Sequence, residues 1–276
     1  MNKADQYFKQ NLREVLEHGT WDENPRPKWG DGTPARSKFI TQVTEKYDIA
    51  AGEFPIPTLR NTAVKTGIKE IFWIYQDQSN SLADAHARGI TWWDEWDIGD
   101  GTIGNRYGAT VKQYDLMNKL LNGLKNDPFS RRHIIDLYQE ECLRETKGLN
   151  PCAYSTLWSV RNVGEEMFLD VTLVQRSQDY LMASSINKIQ FSAMQMMVAG
   201  HLGYRPGNFV HFVQNLHIYD RHIEAAEQLL VTESLNTQPI LKLNVQKNFY
   251  DYTIDDFEVT GTEGIPKLKE KLEIAV

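Results

Sequence analysis

The stretch that most constrains this chain runs from residue 184 to 202. Ile189, Ala193, Met196 and Met197 recur there at helical spacing in the most apolar helix of the sequence, with Ser184 or Ser185 placed to cap it and Gly203 to stop it. Residues 134–138, 155–160 and 167–174 before it, and 209–219 after it, read as strands from their alternation of apolar and polar side chains. An apolar helix set among such strands predicts an α+β fold.

The other segments agree with that reading. Residues 4–18 carry Tyr7, Leu12, Val15 and Leu16 near helical spacing and stop at Gly19, so an amphipathic helix opens the chain. Residues 24–34 are dense in Pro and Gly, hence a loop, and they carry Arg26 and Lys28. A strand is expected over 39–47. A helix follows over 63–76, with Ile68, Ile71, Phe72 and Tyr75 on one face and the acid Glu70 beside them. Thr91-Trp92-Trp93-Asp94-Glu95-Trp96 gathers more aromatic surface than packing requires, and a Gly-rich loop leads from it to Tyr107 and Gly108. Further helices are expected over 111–125, ended by Asp127-Pro128, and over 221–230. With no internal repeat and no linker, residues 1–276 read as a single domain.

Composition removes several classes of function. Thirty basic against 37 acidic residues leave a net charge of −7, the wrong sign for a broad nucleic-acid surface, so any bound anion must meet a local basic pocket. A hydrophobic share of 41% excludes a disordered chain. Two cysteines, Cys142 and Cys152, make no disulfide framework, and their separation does not suit a zinc knuckle. The first residues lack an apolar signal region, and no run approaches the ~18 apolar residues of a membrane span. A reducing cytoplasm is the expected location. Walker, G-x-G-x-x-G and H-E-x-x-H motifs are absent and the seven histidines show no ligand spacing, so no metal is expected.

A cysteine works as a nucleophile only as thiolate, which needs a nearby positive charge. Cys152 follows a Pro at the mouth of a strand, with Arg131, Arg132 and Arg176 as possible partners, whereas Cys142 stands among Glu140, Glu141 and Glu145 and is expected to be inert. The paired arginines and Gln175-Arg176-Ser177 suit a phosphate, whose oxygens match the guanidinium fork. His217 and Tyr219, two apart on a strand, share a face where a sugar hydroxyl could bind. Cys152 with His217 and Asn215 could instead form a hydrolase triad, although that leaves the arginines without a task.

Asn150-Pro151-Cys152, Gln175-Arg176-Ser177-x-Asp179, Ile186-Asn187 and His217-Ile218-Tyr219, together with Ser130-Arg131-Arg132-His133, resemble in order and spacing the folate-dependent thymidylate synthases. The resemblance extends from Arg26, through Glu70, Trp93-Asp94-Glu95-Trp96 and Tyr107-Gly108, to the tail Ile274-Ala275-Val276. It implies a large mixed or antiparallel sheet packed by helices, with sheet faces forming a homodimer interface. It implies the reductive methylation of dUMP to dTMP with 5,10-methylenetetrahydrofolate as cosubstrate, through addition of the Cys152 thiolate to C6 of uracil.

The same resemblance assigns roles residue by residue. Asn187 accepts from uracil N3–H and donates to O4, which favours uracil over the cytosine ring of the family's hydroxymethylase branch. Arg26, Gln175, Arg176 and Ser177 bind dUMP, Arg131 and Arg132 reach the partner subunit's phosphate, and His217 and Tyr219 hold the ribose hydroxyl. Glu70 organises protons, Tyr107 helps remove the C5 proton, and Trp93, Asp179, Ala183 and Val276 face folate. This chain departs from the common pattern at Ala183, Ser185 and Ile186, where Gly, Pro and Phe form the folate wall, and at Asn215 and Ala153, where Asp and His are frequent. The alternatives are a pyrimidine nucleotide hydroxymethylase and a non-catalytic nucleotide-binding relative.

Overall fold

The computed structural model describes residues 1–268 and 271–276. Asn2 caps the first helix, α1 (Lys3–His18), accepting from the Asp5 N–H at 2.8 Å, and the helix buries Phe8, Leu12 and Val15. Strands β1 (Thr20–Trp21) and β2 (Ser37–Asp48) follow, then α2 (Val64–Ile71), which continues into a π-helical turn at Phe72–Gln76. The expected helix over 63–76 is therefore continuous but widened at its end, as is common beside functional sites.

After α3 (Leu82–Ala87), the helix expected over 111–125 proves to be two, α4 (Gly108–Gln113) and α5 (Leu116–Asn126). The break is at Asp115, whose φ of 51° is left-handed. Aspartate tolerates that conformation, and no Gly or Pro marks the place in sequence. Next come β3 (Ile134–Asp136), α6 (Glu140–Glu145), β4 (Ala153–Val163), β5 (Glu166–Gln175) and β6 (Gln178–Asp179). The chain continues through α7 (Ser184–Leu202), β7 (Arg205–Tyr219), α8 (Ile223–Val231), β8 (Ile240–Leu243) and β9 (Phe257–Thr260).

The apolar helix α7 is buried along most of its length and ends at Gly203 with φ 74°, as expected. Its start differs from the sequence reading. Ala183 occupies the cap position, and Ser184 and Ser185 fall inside the first turn with buried hydroxyls that have no partner among the described residues.

One mixed sheet carries seven strands in the order β1-β2-β7-β5-β4-β3, with β6 beside β7. The β5–β7 and β6–β7 pairs are parallel and the rest are antiparallel. The strands β8 and β9 form a separate antiparallel ribbon. One core cluster joins Ile68, Trp73, Met194 and Met197 of the helical layer to Leu169, Leu173 and Phe209 of the sheet. A second joins Phe8 and Leu12 of α1 and Leu229 of α8 to Val213 and Ile218 of β7. Each fully buried side chain of this kind contributes ~1.5–3 kcal/mol.

The alternate side chains of the strands point away from both clusters. Ile134, Leu157, Thr172 and Val210 form one row across β3, β4, β5 and β7, beside a row of Ser155, Val174 and Phe212. Ile134 is 50% and Leu157 42% exposed, so this apolar face lacks the helical cover of the other. No helix among the described residues is long and apolar enough to cross a membrane.

Candidate active site

At the end of the sheet where β4 begins and β5 finishes, the surrounding loops enclose a cavity of about 650 Å³, within the range of small-molecule sites. Cys152 directly precedes β4, where the β4–β5 register slips between Ala153 and Ser155. Such a bulge re-aims neighbouring side chains. Arg176, just past β5, holds the cysteine loop through four contacts. Its N–H donates to the Cys152 carbonyl at 2.9 Å, Nε to the Pro151 carbonyl at 3.0 Å and Nη2 to the Asn150 carbonyl at 2.7 Å, while Nη2 lies 3.5 Å from the Cys152 Sγ. Burial pushes the Cys152 thiol up, and the charges of Arg176 and Arg26 pull the other way.

The Cys152 N–H donates to the Tyr107 hydroxyl at 3.2 Å. Tyr107 has φ 49° and ψ −107°, a strained conformation of the sort that gathers at functional sites. The residue after it must be glycine, because a Cβ on Gly108 would stand 2.0 Å from the Ser79 carbonyl oxygen. Behind Tyr107, the buried Arg106 donates to the carbonyls of Leu143 at 3.1 Å and Thr146 at 2.8 Å, tying this loop to the one that carries Lys147, Gly148 and Leu149 into the cavity. Burial pushes the Tyr107 hydroxyl well up.

On the helical side, Glu70 sits one residue before the end of α2 and accepts a hydrogen bond from the Trp92 indole. Its carboxyl is pushed up to about 7, chiefly by burial, with the Trp92 bond acting against it. Beside it runs a chain of amides. The Gln175 Nε2 donates to the Ser177 carbonyl at 2.9 Å and to the Asn187 Oδ1 at 3.2 Å, and the Asn187 Nδ2 donates to the Gln190 Oε1 at 3.1 Å.

His217 and Tyr219 reach the cavity from β7, their rings 5.1 Å apart. The His217 Nδ1 lies 3.0 Å from the Asn215 Oδ1, and burial holds the ring's pKa down at about 4, so it is neutral at pH 7. Asp179 accepts from the Leu181 and Met182 N–H groups, both at 3.1 Å; burial raises it to about 6 against those bonds and the charge of Arg60. The tail closes one wall: Val276 exchanges two backbone bonds with Lys28, at 2.7 and 3.0 Å.

Cys152, Glu70, Asn187, Tyr107, Arg26, Gln175, Arg176, Ser177, His217, Tyr219, Trp93, Asp179, Ala183 and Val276 thus all line one cavity. Arg131 and Arg132 do not; both are exposed, just before β3. Sequence reasoning missed Trp92, Lys147 and Gln190. Gln190 stands three residues after Asn187 on a helix, a spacing that could have found it, whereas Lys147 follows a short helix with no sequence signal. The hydrolase triad is half present, since His217 bonds Asn215, but the polar neighbours of the Cys152 sulfur are Arg176 and the Asn150 carbonyl, at 3.9 Å. No cluster of metal-ligating side chains occurs among the described residues.

The thymidylate synthase family model matches residues 6–275. The chain is 48% identical to the thymidylate synthase of Streptococcus pneumoniae strain 70585 and 49% identical to that of Streptococcus gordonii, in each case over 99% of this chain and the whole of the relative. Among solved structures, thermostable thymidylate synthase A from Bacillus subtilis superposes with a TM-score of 0.87 at 32% identity, covering 99% of both chains. On sequence, fold and coverage together, the chain belongs to the thymidylate synthase family.

Proposed function

We propose that this cavity methylates dUMP to dTMP with methylenetetrahydrofolate, releasing dihydrofolate, and that Cys152 is the nucleophile. The observation that carries the reading is the placement of Cys152, under the Arg176 guanidinium, in the same cavity as the amide chain ending in Asn187. The Sγ gives up its proton and adds to C6 of uracil, and the electrons of the C5–C6 bond move toward C5 and O4. Asn187 has one Oδ1 lone pair left for N3–H and one Nδ2 hydrogen left for O4, so it holds the ring and stabilises the charge that grows on O4.

Arg26, Arg176 and Ser177 take the phosphate, and His217 with Tyr219 takes the ribose hydroxyl. Glu70, poised near neutrality, can hold or release a proton beside O4. Tyr107 acts as a phenol that relays the C5 proton, since burial disfavours its phenolate. The other side of the cavity suits a folate: Trp93, Ala183 and Ile186 offer apolar walls, Asp179 is a carboxyl for a pterin ring, and the Trp93 indole N–H is buried without a partner among the described residues. Bound there, folate supplies the one-carbon group and the hydride.

The acting unit is one domain over residues 1–276, working as a homodimer. Supporting this is the apolar sheet face of Ile134, Leu157, Val174 and Phe212, flanked by the exposed Arg131, Arg132 and Phe129, the last 55% exposed. From that position the two arginines complete the partner's phosphate site. Mixing an inactive Cys152→Ser subunit with an inactive Arg132→Ala subunit should restore activity; none after verified exchange means a clamp within one chain. Incubation with dUMP and methylenetetrahydrofolate, followed by ultraviolet absorbance and mass analysis, should yield dihydrofolate and dTMP in equal amounts. A hydroxymethylated nucleotide, or no product, contradicts the proposal.

A further inference from the structure

We infer that His211 is a positioning residue that fixes which way the Asn187 amide faces, and so makes the site choose uracil over cytosine. The inference rests on the reading that Asn187 recognises the base. His211 lies in the middle of β7, in register with Glu45 of β2 and Leu173 of β5, and is 1% exposed. Its Nε2 is 2.9 Å from the Gln175 Oε1.

The direction of the whole chain follows from one group that cannot be reversed, the Ser177 carbonyl. The Ser177 carbonyl only accepts, so the Gln175 atom 2.9 Å from it must be the amide nitrogen. The oxygen of Gln175 then faces His211, whose Nε2 must carry the proton, and Gln178 donates to the same oxygen at a longer 3.4 Å. The Asn187 atom beside the Gln175 nitrogen must in turn be its oxygen. Burial and the neighbouring Lys188 charge keep His211 neutral, consistent with a single proton, placed on Nε2.

Uracil offers N3–H as donor and O4 as acceptor, which match the free lone pair and hydrogen of Asn187 in this orientation. Cytosine offers the reverse pair, a bare N3 and an amino group, and would need the amide turned over. Turning Asn187 over sets its NH2 against that of Gln175. Turning Gln175 as well sets its oxygen against the Ser177 carbonyl and, for as long as the His211 proton stays on Nε2, its NH2 against the His211 N–H. Removing the His211 donor leaves one end of Gln175 held only by the longer Gln178 bond.

The test is direct titration of the folded protein with dUMP and with dCMP, comparing wild type, His211→Phe and His211→Gln, with Asn187→Asp as reference. His211→Phe should lower the preference for dUMP over dCMP about fivefold, the scale of one net hydrogen bond, while His211→Gln, which keeps a donor, retains it. Should Phe prevent folding, His211→Leu also lacks the donor and takes its place. An unchanged preference, with both affinities falling in parallel, would mean a merely structural histidine and overturns the inference. If Asn187→Asp itself leaves the preference unchanged, the base-reading role of Asn187 fails and the inference falls with it. A shift in Asn187→Asp without one in the donor-lacking His211 variants overturns the inference alone.

Discussion

The two halves of the cavity are built differently. The half around Cys152, Gln175 and His217 stands on or beside strands and takes Asn187 from the first turn of α7, and these side chains are already held by other protein groups: Cys152 against Arg176, Asn187 against Gln175 and Gln190, His217 against Asn215. The other half is made of the aromatic run at residues 92–96, Ala183 and Ile186 where α7 begins, and the tail, with Val276 attached to the rest through two backbone bonds to Lys28. A site locked before its ligand arrives loses little conformational freedom on binding, so it can discriminate finely. A wall whose outermost residue is held by two backbone bonds, with Glu273 behind it paired to Arg221 at 2.7 Å and accepting from the Gly30 N–H at 3.2 Å, has fewer restraints than a strand and can open and close. Reading a pyrimidine requires the first property, and excluding water from a reactive intermediate requires the second.

Four measurements probe that division. Cys152→Ser should strike only the chemistry of the locked half. An alcohol is far less acidic than a thiol, so turnover should fall more than ~10³-fold while dUMP affinity, measured by calorimetry, changes little. Substantial remaining turnover would remove Cys152 from its role. Next in size, Asn187→Asp should move the preference from dUMP toward dCMP by ~10²-fold in competition assays, because a carboxylate offers no hydrogen to O4 but accepts from the cytosine amino group.

Glu70 lies where the halves meet. Its carboxyl is raised from an ordinary 4.5 to about 7, so the folded state holds its proton more tightly than the unfolded chain does. The resulting stabilisation is complete below pH 4.5 and is lost as pH rises through about 7. Denaturant titrations of wild type against Glu70→Gln should therefore diverge by ~3 kcal/mol across that window, the variant lacking this loss. Parallel curves would mean that Glu70 is not buried as an acid.

The two halves also differed in how far they could be read from sequence. The longer strands of the large sheet were legible from alternation and the short β1, β6, β8 and β9 were not, whereas Cys152, Gln175, Arg176, Asn187 and His217 were brought together by their resemblance to the thymidylate synthase motifs; all five line one cavity. Position on the other side depends on tertiary packing. Trp93 was singled out, while its neighbour Trp92 is the one that bonds Glu70. Ser184 and Ser185 looked like caps because serine favours that position, but the helix begins at Ser184, so the pair lies within its first turn. The break at Asp115 was invisible because only its dihedral marks it. His211, bonded to Gln175 from a strand interior, had the pattern of an ordinary buried residue.

Removing Val276 alone tests the division most directly. In a chain ending at Ala275 the two bonds to Lys28 are gone, whereas no bond of the locked half is touched. Turnover of dUMP with methylenetetrahydrofolate should fall ~10²-fold, as expected when closure and alignment are lost, while the dUMP dissociation constant stays within about twofold of wild type. Unchanged turnover, or a loss of dUMP affinity in step with turnover, would contradict a locked nucleotide half working under a separate, closing wall.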